Sequence, residues 1–427
     1  MHKVFEKLKL AFADKSLRKR IFFVLFILAV TRLLALIPVP GIDTSRLASL
    51  FSGSEFLNLL NLFSGGGLSN LSIVMLGVGP YITASIIMQL LTVMVPRLKA
   101  MYQEEGASGR RRFSQYSRML TVPLAILQGY AFIKLLQGQG ALPPLSFNVL
   151  ALDIVLVIAG SMLLMWLGEL ISEFGIGNGV SLIIFAGIVA QLPASASQLV
   201  VTYDPSMIPI YIVGLAVALL VIFGVVVITE AERPIPITYA KQARAGGYSS
   251  SPGGGVSSYL PLRVNQSGVI PIIFALSILL FPQMIFQFLA QSTVPLLANA
   301  SNFILNLLAN QWFYSSIYFV LVVAFTYFYT AVTFDPDTIS TNLQKSGAFV
   351  PGVRPGTATA DYLSRVLVRL TLVGALFLGI IAVLPLILSS LTGIQALAIG
   401  GTGLLIVVSV VLDLIKKIDA QVSAREY

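Results

Sequence analysis

The sequence predicts an all-α polytopic membrane protein, with about ten transmembrane helices in two inverted five-helix halves about a central path. Three observations carry this. Of 427 residues, 56% are hydrophobic and 11% charged, with mean hydropathy +0.89; ordinary soluble domains carry about 25% charge. Lysines and arginines crowd into alternate loops between long apolar runs, which is a topology signal. Short Gly/Pro motifs recur at corresponding spans of the two halves, as inverted repeats require.

The elements follow in order. Residues 1–20 are a basic arm in which Val4, Leu8 and Phe12 share one helical face, predicting a helix lying on the membrane surface. Span one is about 21–37, closed by Pro38-Val39-Pro40-Gly41. Span two is about 72–95, and its exit loop carries Arg97, Lys99, Arg110, Arg111, Arg112 and Arg118. Spans three, four and five are about 119–136, 151–171 and 180–194, ending the first half at 194. Residues 195–208 read as a hinge, and the second half runs over 209–414. Span six is about 209–228, followed by a polar loop at 230–263 with a flexible YSSSPGGGVSS tract. Spans seven and eight are about 268–289 and 313–333, joined by a loop without formal charge. A polar loop at 335–369 precedes spans nine and ten, about 370–388 and 397–414, and residues 415–427 are a basic tail. The cation pattern places both termini in the cytoplasm.

One stretch breaks the regular pattern. Between Asn58 and Gln89 an apolar helical run is interrupted by Ser64-Gly65-Gly66-Gly67. Glycine loses the most backbone entropy on ordering, so a triplet breaks a helix. Lipid cannot satisfy the exposed backbone groups, so the break must face protein or a water-filled cavity. It is either a re-entrant loop that packs or a movable half-helix in a pore.

Span two contains Gly77-Val78-Gly79-Pro80-Tyr81-Ile82 and span seven Gly268-Val269-Ile270-Pro271-Ile272-Ile273, both reading G-V-x-P-x-I. Gly177-Asn178-Gly179 opens span five and Gly401-Thr402-Gly403 opens span ten. An odd number of spans per half forces the second half to be inverted, and such repeats enclose a path at the midplane. Val78 and Ile82, Val180 and Ile184, and Val269 and Ile273 each lie four apart on one helical face. Stiff β-branched side chains form a defined constriction that excludes water. Ordinary packed or lipid-facing residues have the same spacing, so both readings stand.

Several classes are excluded. The chain has no cysteine, and its one histidine is His2, so thiolate chemistry and a histidine relay within the membrane are ruled out. The first apolar run follows a basic arm without a small-residue cleavage site, unlike a cleaved signal peptide. The net charge of +9 sits in loops and sets topology rather than marking a nucleic-acid surface.

The chain resembles the SecY family, the channel subunit of the bacterial-type protein translocase. The resemblance rests on FSGGGLSNLSIVMLGVGPYITASIIMQLL at 63–91, GASGRRRFSQYSR at 106–118, MWLGELISEFGIGNGVSLIIFAGIVA at 165–190, LPLRVNQSGVIPIIFA at 260–275, NLQKSGAFVPGVRPGTATADYL at 342–363 and RLTLVGALFLG at 369–379. It implies a clam-shell of two five-helix halves around a central hourglass pore. It also implies a pore ring at Val78, Ile82, Ile184, Ile273 and Ile406, with Val180 beside them. Ile406 follows from the resemblance alone. A short half-helix near 61–71, with Leu62, Phe63, Ser64, Gly65, Gly66, Gly67, Leu68, Ser69 and Asn70, resembles the plug. The lateral gate would lie between spans two and three and spans seven and eight, with Gln89, Thr92, Asn265 and Gln266 at its cytoplasmic end. Loops 230–263 and 335–369 resemble the docking surface for the ribosome and the motor ATPase SecA, with Arg354, Lys241 and Arg244 as contacts. The tract at 248–258 departs from the family pattern in being softer and less basic. The implied partners are small membrane subunits like SecE and SecG, SecA, the ribosome, preprotein signal sequences and membrane lipids. The implied location is the bacterial plasma (inner) membrane, with no cofactor and no metal.

A passive protein-conducting channel, releasing apolar segments sideways into lipid, is the function this resemblance implies. The alternative is an ion-coupled secondary transporter, which needs ionisable groups at the midplane. Arg32 and Lys134 lie near span ends, where snorkelling suffices, and Asp153 and Glu169 bound span four. An intramembrane enzyme lacks the in-span His, Cys, paired carboxylates or G-x-S-x-G it would need.

Overall fold

The computed structural model describes residues 14–40, 61, 64–138, 142–143, 145–201, 208–239, 257–290, 294–392 and 395–426. The first helix, α1 (Lys15–Leu34), starts where Asp14 caps it by accepting a bond from the Ser16 N–H at 2.9 Å. Span one therefore begins inside the basic arm rather than after it. The capped, lysine-rich turn continues the transmembrane helix, while Val4, Leu8 and Phe12 lie outside the described residues.

Span two differs most from expectation. Residues 64–78 are turns, and only α2 (Gly79–Met94) is helical. The turn chain bonds to the end of span one: the Val39 N–H donates to the Leu71 carbonyl at 2.8 Å and Ile73 N–H to the Ile37 carbonyl at 3.0 Å. Pro38 and Ser72 form an antiparallel bridge between them. The break is thus satisfied by protein, as a membrane interior demands. The half-helix expected near 61–71 is corrected accordingly: among the described residues Asn61 alone is helical there, and 64–71 are turns. Leu62 and Phe63 lie outside the described residues.

The repeat explains why helices begin where they do. Gly77 and Gly268 both take positive φ, +58° and +61°, which suits glycine. Val78 and Val269 then cap α2 and α8 (Ile270–Leu289), with Pro80 and Pro271 in the first turns. Proline is favoured there because its missing N–H has no partner to lose. The second repeat pair matches less well. Gly177-Asn178-Gly179 leads into α6 (Gly179–Val201), but Gly401–Gly403 lies within α13 (Gln395–Glu426), which starts six residues earlier.

A short α3 (Pro96–Gln103) turns away from α2 by 112°. Three long helices follow: α4 (Gly106–Gly138), α5 (Phe147–Phe174) and α6. α4 absorbs the arginine-rich loop as helix, and α6 runs through 195–201, so that part of the expected hinge is helical. α7 (Ile208–Glu230) opens the second half. After α8 comes an additional helix, α9 (Pro295–Ala309), within the uncharged loop, and then α10 (Gln311–Thr333) and α11 (Pro336–Lys345). α12 (Thr357–Thr392) begins in the polar loop, thirteen residues ahead of the expected span. Thus ten helices (α1, α2, α4–α8, α10, α12 and α13) match the ten predicted spans. Among the described residues, six helices are long and apolar enough to cross a membrane alone, and a seventh is the bent α2–α3 pair.

The halves meet along two lines. α8 packs against α2 and α4 on one side, and α13 packs against α6 on the other. A large hydrophobic core of both halves joins Val78, Ile82, Ile184, Ile273 and Ile406 in one cluster.

The two polar loops are not separate arms. β1 (Glu232–Tyr239) pairs antiparallel with β2 (Ser257–Arg263), and β3 (Ala348–Phe349) pairs with the end of β1. Pro234 sits opposite Pro261, and Pro236 faces the same way two residues on. Beyond the short β3, prolines at alternate positions leave an edge with few free N–H donors, which guards it against further pairing. Ile235 and Leu262 pack with Val350, Leu363 and Val366 into a small separate core. Lys241, Arg244 and the 248–256 tract lie outside the described residues.

Candidate functional site

Five of the six residues expected at the constriction sit at the starts of helices. Val78 caps α2 and Ile82 follows one turn on, Val180 and Ile184 open α6, and Ile273 lies in the first turn of α8. Val78, Ile82, Ile184, Ile273 and Ile406 are 0–6% exposed. Ile82, Val180, Ile184 and Ile273 help to line a cavity of about 1070 Å³. Gln89, Arg110, Arg111, Arg118, Glu169 and Glu173 line it as well. The Arg118 Nε donates to Glu169 Oε1 at 2.6 Å, tying α4 to α5 within this wall. Charged and polar side chains and stiff apolar ones thus share one lining, and the apolar ones offer water no hydrogen-bond partner, as a dewetting constriction requires. Val78 and Ile406 do not line the cavity; they pack within the same apolar cluster.

The turn chain packs into the same apolar cluster through Leu68 and Leu71. The Leu68 N–H donates to Ser64 Oγ at 3.0 Å, and Ser64 Oγ donates to the Asn61 carbonyl at 3.0 Å. Leu68 is buried, whereas Ser69 and Asn70 are exposed. Ser161 of α5 donates from Oγ to the Gly77 carbonyl at 2.9 Å, holding the approach to α2. Arg32 does not snorkel to a span end as expected. Its Nη1 donates to the Gly65 carbonyl.

Of the polar residues expected at the seam, Thr92 and Asn265 bond within their own segments. Thr92 Oγ1 donates to the Gln89 carbonyl at 2.6 Å, within its own helix. Asn265 donates to the Gly268 carbonyl at 3.3 Å and accepts from Ser267 Oγ at 3.2 Å, ordering the chain before α8. Gln89 faces the large cavity, while Asn265 and Gln266 line an adjoining one of about 310 Å³. None of these bonds crosses the seam. An aromatic pair does, the Tyr130 and Phe288 rings at 5.7 Å between α4 and α8. No spacing rule singled out that pair, since aromatics are common in such helices.

Arg354 is exposed on a tight tip. The Val353 N–H donates to the Val350 carbonyl at 3.1 Å, and Gly352 and Gly356 take φ of +80° and +99°. Thr359 Oγ1 donates to the Arg354 carbonyl at 2.9 Å, which fixes the backbone and leaves the guanidinium outward.

Lys134 donates to Gln137 Oε1 at 3.1 Å, a local bond. Asp153 is fully buried in α5, and neither carboxylate oxygen has a partner among the described residues. Among the described residues, no group of three or more His, Cys, Asp or Glu side chains could hold a metal.

Comparison with known proteins bears on this geometry. The SecY family model matches residues 72–415. The SecY subunit of protein translocase from Corynebacterium glutamicum is 43% identical, over 98% of each chain. A solved SecY structure, described with a plug domain that stabilises the closed state of the translocation channel and maintains a membrane seal, superposes with TM-score 0.63. It is 20% identical, covering 94% of this chain and 91% of that one. Sec61 in the canine ribosome–channel complex superposes with TM-score 0.58 at 20% identity, covering 93% and 91%. The fold is theirs, and the sequence match extends over nearly the whole chain. The chain belongs to the SecY family of protein-translocation channels and is not an enzyme.

Proposed function

We propose that this chain forms the pore through which unfolded preproteins cross a bacterial plasma membrane, with apolar segments released sideways between α2/α4 and α8/α10. The observation that carries the reading is the large cavity between the halves, lined by Ile82, Val180 and Ile184 of the first and Ile273 of the second. An extended chain entering the cavity meets a ring of stiff apolar side chains that fits around it without binding it. Val78, Ile82, Val180, Ile184, Ile273 and Ile406 act as that ring. The turn chain at 64–70, with Leu62 and Phe63, acts as the plug beyond it. The α2/α4–α8 seam acts as the lateral gate, with Gln89, Thr92, Asn265 and Gln266 near its cytoplasmic end.

The sheet and the Arg354 tip serve as the docking surface for SecA and the ribosome, with Lys241 and Arg244 on the neighbouring loop. SecE-like and SecG-like subunits complete the complex. Both termini face the cytoplasm, supported by the cations in alternate loops. The reading is tested in proteoliposomes holding the purified complex. ATP- and SecA-dependent entry of a preprotein is expected. Uptake of small solutes driven by an ion gradient, without preprotein transport, would replace it by the carrier reading.

A further inference from the structure

We propose that Arg32 is the latch that seats the plug, acting with the close approach of Gly65 to Gly187; this rests on the plug reading above. Arg32 lies in the last turn of α1, and its guanidinium donates to the Gly65 carbonyl. Gly65 has φ +67°, so its carbonyl is turned out of any helix ladder and is free to accept. A Cβ on Gly65 would lie 2.8 Å from Arg32 Nη2 and 3.1 Å from Gly187 Cα. A Cβ on Gly187 would lie 2.5 Å from Gly65 Cα. The turn is therefore wedged between the guanidinium and the backbone of α6. One helical turn along α6, Gln191 Nε2 donates to the Asn61 carbonyl at 3.3 Å, extending the same seat.

The chemistry suits a latch. A guanidinium keeps its charge in any protein environment, so its bond to a carbonyl is charge-assisted. Its Nε is buried without a partner among the described residues, so the seated turn satisfies it incompletely. When the turn swings away, water in the outer vestibule hydrates the freed donors. Closed and open states then differ by few bonds, and the latch holds the plug without trapping it.

The test measures resting halide leak from vesicles holding the full-length chain with its copurifying subunits. Arg32→Gln, Arg32→Lys and Gly187→Ala are compared with wild type. Each is also made in a background lacking Leu62–Asn70. Because the chain has no cysteine, Ser69→Cys carries a single environment-sensitive fluorophore that reports plug position. Removing a charge-assisted bond should raise the leak of Arg32→Gln about 10- to 100-fold. Arg32→Lys keeps a charged donor but loses the fork, so a smaller rise is expected. Gly187→Ala should reproduce the rise, and the Ser69→Cys probe should move with it. None of the three should add leak once Leu62–Asn70 is absent.

The latch is overturned if Arg32→Gln leaves leak and probe at wild-type values while the deletion raises leak. It is equally overturned if Arg32→Gln raises leak by the same factor in the deletion background. If Arg32→Gln fails to assemble, Arg32→Lys decides by the same two criteria. If the deletion itself raises no leak, the plug reading falls and the latch with it.

Discussion

Ile273→Asn should let the channel accept signal sequences too short to open the wild type. Ile273 is 5% exposed, in the first turn of α8, and lines the large cavity. Burying an isoleucine side chain contributes about 1.5–3 kcal/mol, and asparagine forfeits most of that while inviting water into the constriction. We take about 2 kcal/mol as the loss of closed-state stability. A signal core gains roughly 0.3–0.6 kcal/mol per apolar residue on reaching lipid. The substitution therefore replaces about three to seven core residues, out of the roughly 7–15 that a core contains. The assay is export of one preprotein whose core is shortened a residue at a time, in wild type and in Ile273→Asn. The threshold length should fall by that amount in the variant. If both lose export at the same length, the ring and the gate do not share an energy balance and the reasoning fails.

Tyr130→Ala removes the aromatic pair across the seam, worth about 0.5–1.5 kcal/mol beyond burial. It should shift the same threshold by about one to five residues; an unchanged threshold would remove Tyr130 from the gate. Arg354→Glu should abolish SecA-driven transport while membrane insertion and subunit assembly, followed by copurification, stay intact. Transport at the wild-type rate would end its docking role. Asp153→Leu removes two buried oxygens without partners among the described residues. It should stabilise the detergent-solubilised protein by about 1–3 kcal/mol, read as a rise in thermal midpoint; a fall would mean that Asp153 has a partner in the complex.

The spans were legible because lipid demands long apolar helices, and the halves because Gly77-Val78 and Gly268-Val269 repeat a local device. A positive-φ glycine, a capping valine and an early proline start a helix from within a turn, and that device is a matter of sequence. Val78, Ile82, Val180, Ile184 and Ile273 could be picked out because i, i+4 spacing puts them on one face. Ile406 could not, since the glycine pair at 401–403 lies inside α13 and marks no helix start. The helical extent of α4 was missed because arginines predict a loop in a hydropathy reading, although they are good helix formers. Asn265 was assigned to the gate by resemblance, and a polar residue there could bond across helices. Its local bonds to Gly268 and Ser267 were closer to hand. The Arg32–Gly65 contact joins residues whose link depends on how α1, the turn chain and α6 converge, and no one-dimensional pattern encodes that.

The sheet that unites loops 230–263 and 335–369 has a mechanical consequence. β1 and β2 flank the connection from α7 to α8, and β3 lies between α11 and α12, so all three strands belong to the second half. Their shared small core, in which Ile235 and Leu262 pack on Leu363 and Val366 of α12, makes the sheet stiff with respect to that half. A displacement of the Arg354 tip is therefore passed through this core to α12, on which it packs. α2 and α4 contribute no residue to that core, so whatever seats on the tip has its handle on the second half alone.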